Sequence, residues 1–148
     1  MSLTETLFLA DDEATAALGR RLAAALRPGD LVLLEGDLGA GKTAMARTVI
    51  RTLSGDDRLD VPSPSFSLVQ PYEVNGTPVL HADLYRLGGP RDVDELGLFD
   101  RPEAIVLVEW PERSDEVVER ATVSIRLAIP PGGEGRSATI QFTDGRAF

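Results

Sequence analysis

The stretch Leu31-Val-Leu-Leu-Glu-Gly36-Asp-Leu-Gly-Ala-Gly41-Lys42-Thr43 decides how the rest of this chain is read. Leu31 to Leu34 is a short continuous apolar run of the kind found in a strand buried on both faces. Gly36 to Thr43 matches G-x-x-x-x-G-K-[ST] at every specified position, and a helical stretch follows from Lys42 to about Leu53, closed by Ser54-Gly55. Strand, glycine loop and helix in that order are the context the motif requires. Glycines let the backbone curl, so that N–H groups from Gly36, Asp37, Leu38, Gly39, Ala40 and Gly41 turn inward on phosphate oxygens, and the helix adds its positive end. Lys42 is expected to reach the β- and γ-phosphates and the Thr43 hydroxyl to ligate Mg²⁺. A glycine-rich turn selected for packing alone would not need Lys-Thr at those two places.

Upstream, Ala14, Leu18, Leu22 and Leu26 recur every four residues in Asp11 to Leu26, which predicts a helix behind an Asp N-cap, stopped by Arg27-Pro28-Gly29. Downstream, Val61 to Ser65 reads as a stiff loop. Phe66 to Val74 and Pro78 to Leu84 read as extended segments joined at Asn75-Gly76, the strongest short-range hairpin signal. Pro90 to Leu98 suggests a short helix. Ala104 to Val108 is the clearest buried strand, Ala121 to Ile129 alternates as another, and Ser137 to Phe142 returns as its antiparallel partner, while 111–120 has no firm pattern. The fold class is therefore α/β: a P-loop NTPase-like three-layer sandwich with a mixed, mostly parallel central sheet and antiparallel hairpins. Residues 1–148 are expected to form a single domain, since this length supports one core of ordinary size.

Composition narrows the function classes. The chain carries 24 acidic and 15 basic side chains, net −9, with 43% apolar residues and no Cys. Disulfide scaffolds, thiolate zinc sites and Cys nucleophiles are excluded. No apolar run exceeds five residues, far short of the roughly 20 of a spanning helix, and the N-terminus has no signal-peptide pattern. A cytoplasmic protein without a membrane partner is the expectation. A pI near 4.6 is the reverse of the basic footprint of a protein that grips nucleic acid directly.

A P-loop site also needs a carboxylate at the end of a neighbouring buried strand. Glu109, at the end of the Ala104 to Val108 run, is the first candidate, and Asp83, after Val79-Leu80-His81-Ala82, is the second.

Taken together, Gly36 to Thr43, Ser63-Pro64-Ser65-Phe66, His81-Ala82-Asp83-Leu84-Tyr85-Arg86 and Val108-Glu109-Trp110 resemble, in order and spacing, the TsaE (YjeE) family of bacterial P-loop ATPases. The resemblance extends from about Phe8 to beyond Ile140. It implies an ATP- and Mg²⁺-dependent ATPase required for threonylcarbamoyladenosine at position 37 of tRNAs reading codons that start with A. In the family the ATPase works on TsaB and TsaD partners to sustain turnover, so tRNA would be reached only through those partners. Carried over, the resemblance makes Lys42 the phosphate ligand and places Mg²⁺ between Thr43 and Glu109. It puts Asp83 in the Walker B place, orienting metal or water, and likens the Ser63 to Phe66 loop to a switch near the γ-phosphate. Asp12 to Thr15 resembles the stretch bordering adenine. Ser65 stands where the family usually has Thr; the hydroxyl is kept and the methyl is lost.

His81, the sole histidine, shares a strand face with Asp83 and is expected to be a packed strand residue or to touch the site. Trp110 would point away from Glu109 if that strand continued, into core or interface. Tyr85 and Arg86 suit nucleotide support or a partner contact, and an ordinary Arg to Asp pair explains Arg86 equally well. No arginine finger is evident, which predicts slow hydrolysis without partners. Two other readings stay open: a small-molecule kinase, whose Arg-rich lid would come from Arg86, Arg91 and Arg101, and a nucleotide-gated interaction module that needs binding but not hydrolysis.

Overall fold

The structure, a computed structural model, describes residues 3–88 and 90–146, with side chains at all of these but 3, 90 and 91. The elements in chain order are β1 (Leu3–Leu9), α1 (Asp12–Ala25), β2 (Leu31–Gly36), α2 (Lys42–Ser54), β3 (Val69–Val74), β4 (Thr77–Asp83), α3 (Pro90–Glu95) and β5 (Ile105–Glu109). A 3₁₀ turn (Pro111–Arg113), α4 (Asp115–Arg120), β6 (Val123–Ala128) and β7 (Arg136–Phe142) complete the chain. The seven strands form one sheet in the order β1-β7-β6-β2-β5-β4-β3. The central pairings β6 with β2, β2 with β5 and β5 with β4 are parallel, and antiparallel strands flank them on both sides.

The continuous apolar runs of β2 and β5 are explained by helices on both faces. Val32, Leu34, Ile105 and Leu107 point to a core shared with Leu18 and Leu22 of α1 and Met45, Val49 and Ile50 of α2. Their neighbours Leu31, Leu33, Val106 and Val108 point to a second core with Val93, Leu98 and Val117 on the opposite face. Asp11 caps α1 through its side chain, accepting from the Ala14 N–H at 2.8 Å, as the sequence predicts. The Asn75-Gly76 turn joins β3 to β4 with φ of 51° and 83°, the doubly left-handed geometry that suits a two-residue hairpin.

Some expectations shift. Residues 66–68 are turn rather than strand: the Leu68 N–H bonds back to the Pro64 carbonyl at 2.7 Å, and Leu68 sits at φ 68°. The helix begun at Pro90 ends at Glu95. Residues 111–120, without a pattern in sequence, form the 3₁₀ turn and α4, whose N-cap Ser114 accepts from the Val117 N–H at 3.3 Å. β1 carries no clean alternation because Glu5 interrupts it, and it forms by pairing with β7 at the far end of the chain.

Beneath the start of β2, Asp30 is buried and Arg146 closes over it. Arg146 Nη1 and Nη2 lie 2.7 and 2.9 Å from the two Asp30 oxygens, and Nη1 also donates to the Ala25 carbonyl at 3.0 Å. Asp30 accepts as well from the Arg27 N–H and the Thr122 hydroxyl. Removing the guanidinium leaves a buried carboxylate short of its charge partner. Arg146→Met is expected to lower the unfolding free energy by about 3 kcal/mol, read from urea denaturation; a loss below about 1 kcal/mol, the ceiling for an exposed pair, would show that the pair is not buried in solution.

Candidate nucleotide site

β2, β4 and β5 run parallel, so Gly36, Asp83 and Glu109 all stand at one edge of the sheet, where ligands of open α/β sheets gather. β4 and β5 pair in register with Asp83 opposite Glu109 and His81 opposite Leu107. Because strand side chains alternate, His81, Asp83 and Glu109 share the face covered by α1 and α2, the face on which α2 begins.

Gly36 makes the loop possible. It pairs with Leu127 of β6, and a Cβ there would lie 2.4 Å from the Leu127 carbonyl oxygen. The loop then turns through Gly41, left-handed at φ 107°, into α2, which has no side-chain cap. Lys42 is buried. Its Nζ donates to the Gly36 carbonyl at 2.5 Å and the Asp37 carbonyl at 3.1 Å, and lies 3.9 Å from the Trp110 ring centroid. Burial lowers its pKa from the ordinary lysine value, against the opposing pull of Glu109, Glu112, Asp83 and Asp37.

Glu109 is 3% exposed and well partnered. The Thr43 Oγ1 lies 2.9 Å from both of its oxygens, and His81 Nε2 lies 2.6 Å from Oε2. Asp83, also buried, accepts the Tyr85 N–H through Oδ1 at 2.9 Å. Burial raises its pKa above the usual carboxylate value, with Glu109 adding to the rise. The Thr43 hydroxyl and the Glu109 carboxylate, with Asp83 beside them, are hard oxygen donors of the kind Mg²⁺ takes. Among the described residues no three His, Asp or Glu side chains gather into a metal cage. Such a donor set fits an ion that completes its shell with water and phosphate oxygens.

The loop separates two clefts. One, of about 300 Å³, is lined by Leu38, Gly39, Lys42, Thr43, Ser63, Ser65, Asp83, Glu109 and Trp110. The other, of about 430 Å³, is lined by Asp12, Thr15, Gly39, Ala40, Gly41, Leu127 and Arg136. Most residues singled out in sequence are thus divided between two adjoining clefts, with Gly39, Gly41 and Ala44 common to both, whereas Gly36 and Asp37 line neither. The Ser63 and Ser65 hydroxyls are 2.7 Å apart, so Ser65 keeps a hydroxyl contact without the methyl of a Thr.

Three features escaped sequence reading. β5 ends at Glu109 and Trp110 turns left-handed, φ 58°, so its ring does not continue the strand but lies on Lys42 and 4.9 Å from the Tyr85 ring. Its only local signal was the following Pro, which cannot continue a central strand. Arg136 reaches the loop from β7, its Nη2 donating to the Gly39 carbonyl at 3.2 Å, a contact set by long-range register. The direct bond from His81 to Glu109 is the third. Of the kinase-lid arginines, Arg101 pairs with Glu73 and Glu103 and lines neither cleft, Arg86 lies over the exposed Phe66 ring, and the side chain of Arg91 lies outside the described residues.

Comparison with known proteins adds an independent line. Residues 9–136 match the family described as threonylcarbamoyl adenosine biosynthesis protein TsaE. A tRNA threonylcarbamoyladenosine biosynthesis protein TsaE from Rickettsia felis is 36% identical over 124 residues, 83% of this chain and 72% of that protein. One from a Nostoc species is 37% identical over 135 residues, 87% of this chain and 80% of the other. The crystal structure of Bacillus subtilis YdiB superposes with a TM-score of 0.73 at 29% identity, covering 96% of this chain and 87% of that one.

Two of the three loop glycines give a direct test of the local geometry. Gly36 and Gly39 both have positive φ, but a Cβ on Gly39 meets nothing within 4 Å. Gly39→Ala is expected to cost only left-handed strain, about 1–2 kcal/mol, whereas Gly36→Ala must also push β6 away and cost clearly more in thermal unfolding. Equal losses in the two variants would contradict the close approach of Gly36 to Leu127.

Proposed function

The chain belongs to the TsaE family of threonylcarbamoyladenosine biosynthesis proteins, and from that premise we propose that residues 1–148 form one Mg²⁺-dependent ATPase domain that works in the cytoplasm on TsaB and TsaD partners, sustaining modification at position 37 of tRNAs that read codons starting with A. The observation that carries the ATPase reading is the Thr43 hydroxyl 2.9 Å from both Glu109 oxygens, beside a P-loop lysine. A P-loop hydroxyl joined to a strand-end carboxylate is the arrangement that holds a nucleotide-bound cation.

In this reading the backbone N–H groups of Gly36 to Thr43 and the Lys42 ammonium bind the β- and γ-phosphates, with adenine in the cleft bordered by Asp12 and Thr15. Thr43 and Glu109 would hold Mg²⁺, which would supply charge neutralisation for the phosphates when bound. Asp83, one oxygen tied to the Tyr85 N–H, keeps the other for the attacking water or a metal-bound one. Its raised pKa brings it nearer to the range of a useful proton acceptor. Ser63 and Ser65 face the γ-phosphate end of the same cleft. The described lining of that cleft includes no arginine, which supports slow turnover in isolation and faster turnover in the assembled complex. Net charge of −9 supports contact with tRNA through the partners rather than directly.

The test combines tRNA nucleoside mass spectrometry after depletion of the protein with rescue by wild type or Lys42→Ala. The expected result is loss of threonylcarbamoyladenosine, restored by wild type alone, and an ATP turnover for Lys42→Ala lower by about 10²-fold or more. Unchanged nucleoside levels on depletion, or full rescue by Lys42→Ala, would overturn the proposal.

A further inference from the structure

Among the described residues the Glu109 carboxylate has two hydrogen-bond partners, and only one of them belongs to the P-loop. The other, His81, is fully buried, comes from β4 and touches Glu109 through Nε2 at 2.6 Å. Its second ring nitrogen, Nδ1, is buried with no hydrogen-bond partner among the described residues. These facts fix the direction of the bond. An ionised carboxylate only accepts, so Nε2 must carry the hydrogen. A bare lone pair on Nδ1 is then the less costly way to leave that atom buried, since an N–H there would lack any acceptor.

We propose that His81 is the positioning residue for the Glu109 carboxylate: as its Nε2–H tautomer it clamps Oε2 and holds the carboxylate facing the Thr43 hydroxyl and the cation. The ring does not itself reach the phosphate cleft, whose described lining omits it. Glu109 needs such a clamp because the Thr43 hydroxyl has one hydrogen and sits at equal distance from both oxygens, which alone does not select one carboxylate orientation. The His81 contact on Oε2 adds a second, directional anchor from another strand, which fixes the plane of the carboxylate while Thr43 spans both oxygens. Partners that orient metal-side ligands in this way commonly change metal affinity when removed.

The inference rests on the Mg²⁺–ATP reading for its consequence but not for its geometry, and the two are tested separately. As the chain has one histidine, ¹⁵N-histidine labelling of the full-length protein gives one pair of ring nitrogen signals. The expected spectrum shows hydrogen on Nε2 and none on Nδ1. Hydrogen on Nδ1, or the averaged signals of a ring exchanging freely with water, would overturn the assignment. In turnover assays, His81→Leu is expected to raise the Mg²⁺ concentration for half-maximal hydrolysis by about 10- to 100-fold, while ADP affinity in EDTA stays at the wild-type level. His81→Gln, whose amide N–H can occupy the place of Nε2–H, is expected to recover most of the Mg²⁺ dependence. A purely structural histidine would move both affinities or neither, and would not be rescued by Gln; either pattern overturns the proposal. Should the leucine variant fail to fold, the wild-type spectrum and the Gln variant still decide. Absence of Mg²⁺-dependent hydrolysis in the wild type would instead strike the proposed function and leave the tautomer result standing.

Discussion

A carboxylate buried at the end of a central strand is the constraint on which this site depends. Glu109 is 3% exposed, and a charge taken so far from water is tolerated only where hydrogen bonds and opposite charge replace its hydration. Its replacements come from elements distant in sequence: the Thr43 hydroxyl from α2, the His81 ring from β4, and the field of Lys42 from the loop. Satisfying Glu109 therefore fixes the register of β4 on β5 and the start of α2 together. The apolar strands bring the carboxylate to the sheet edge, and the polar contacts hold the P-loop against it.

The same geometry reconciles an acidic chain with an anionic ligand. Four carboxylates, Glu109, Glu112, Asp83 and Asp37, act on Lys42. A triphosphate entering that field is repelled unless cations and dipoles offset the charge. In the proposed function, backbone N–H groups at an uncapped helix start, one lysine and a divalent ion would supply that offset locally. Net charge of −9 and nucleotide binding are then compatible.

How much of this was legible in sequence follows from how local each signal is. The strand, loop and helix of residues 31–54, the Asn75-Gly76 turn and the buried run before Glu109 are written in contiguous residues, and the structure agrees with them. β1 was not legible because its stability comes from β7, at the other end of the chain, and Glu5 masks its alternation. Phe66 to Leu68 read as strand from composition, yet the Leu68 N–H finds its partner at Pro64 and turns the chain before β3. Trp110 packs against the second core, as expected, but its turn out of the strand was not legible because a bulky residue in the left-handed region is an uncommon choice. There it packs on Lys42, a contact that alternation along β5 could not give. Arg136 reaches Gly39 only through strand register, and His81 was visible as a face-mate of Asp83 but not as a partner of Glu109.

The central claim is that Thr43 and Glu109 act as one unit on a nucleotide-bound cation, and a double-mutant cycle tests it most directly. ATP affinity would be measured calorimetrically for wild type, Thr43→Val, Glu109→Gln and the double variant, with Mg²⁺ and again in EDTA. The account predicts a coupling energy of at least about 1 kcal/mol with Mg²⁺, and single-variant losses that largely disappear in EDTA. Additive losses, or losses of the same size without the metal, would contradict it.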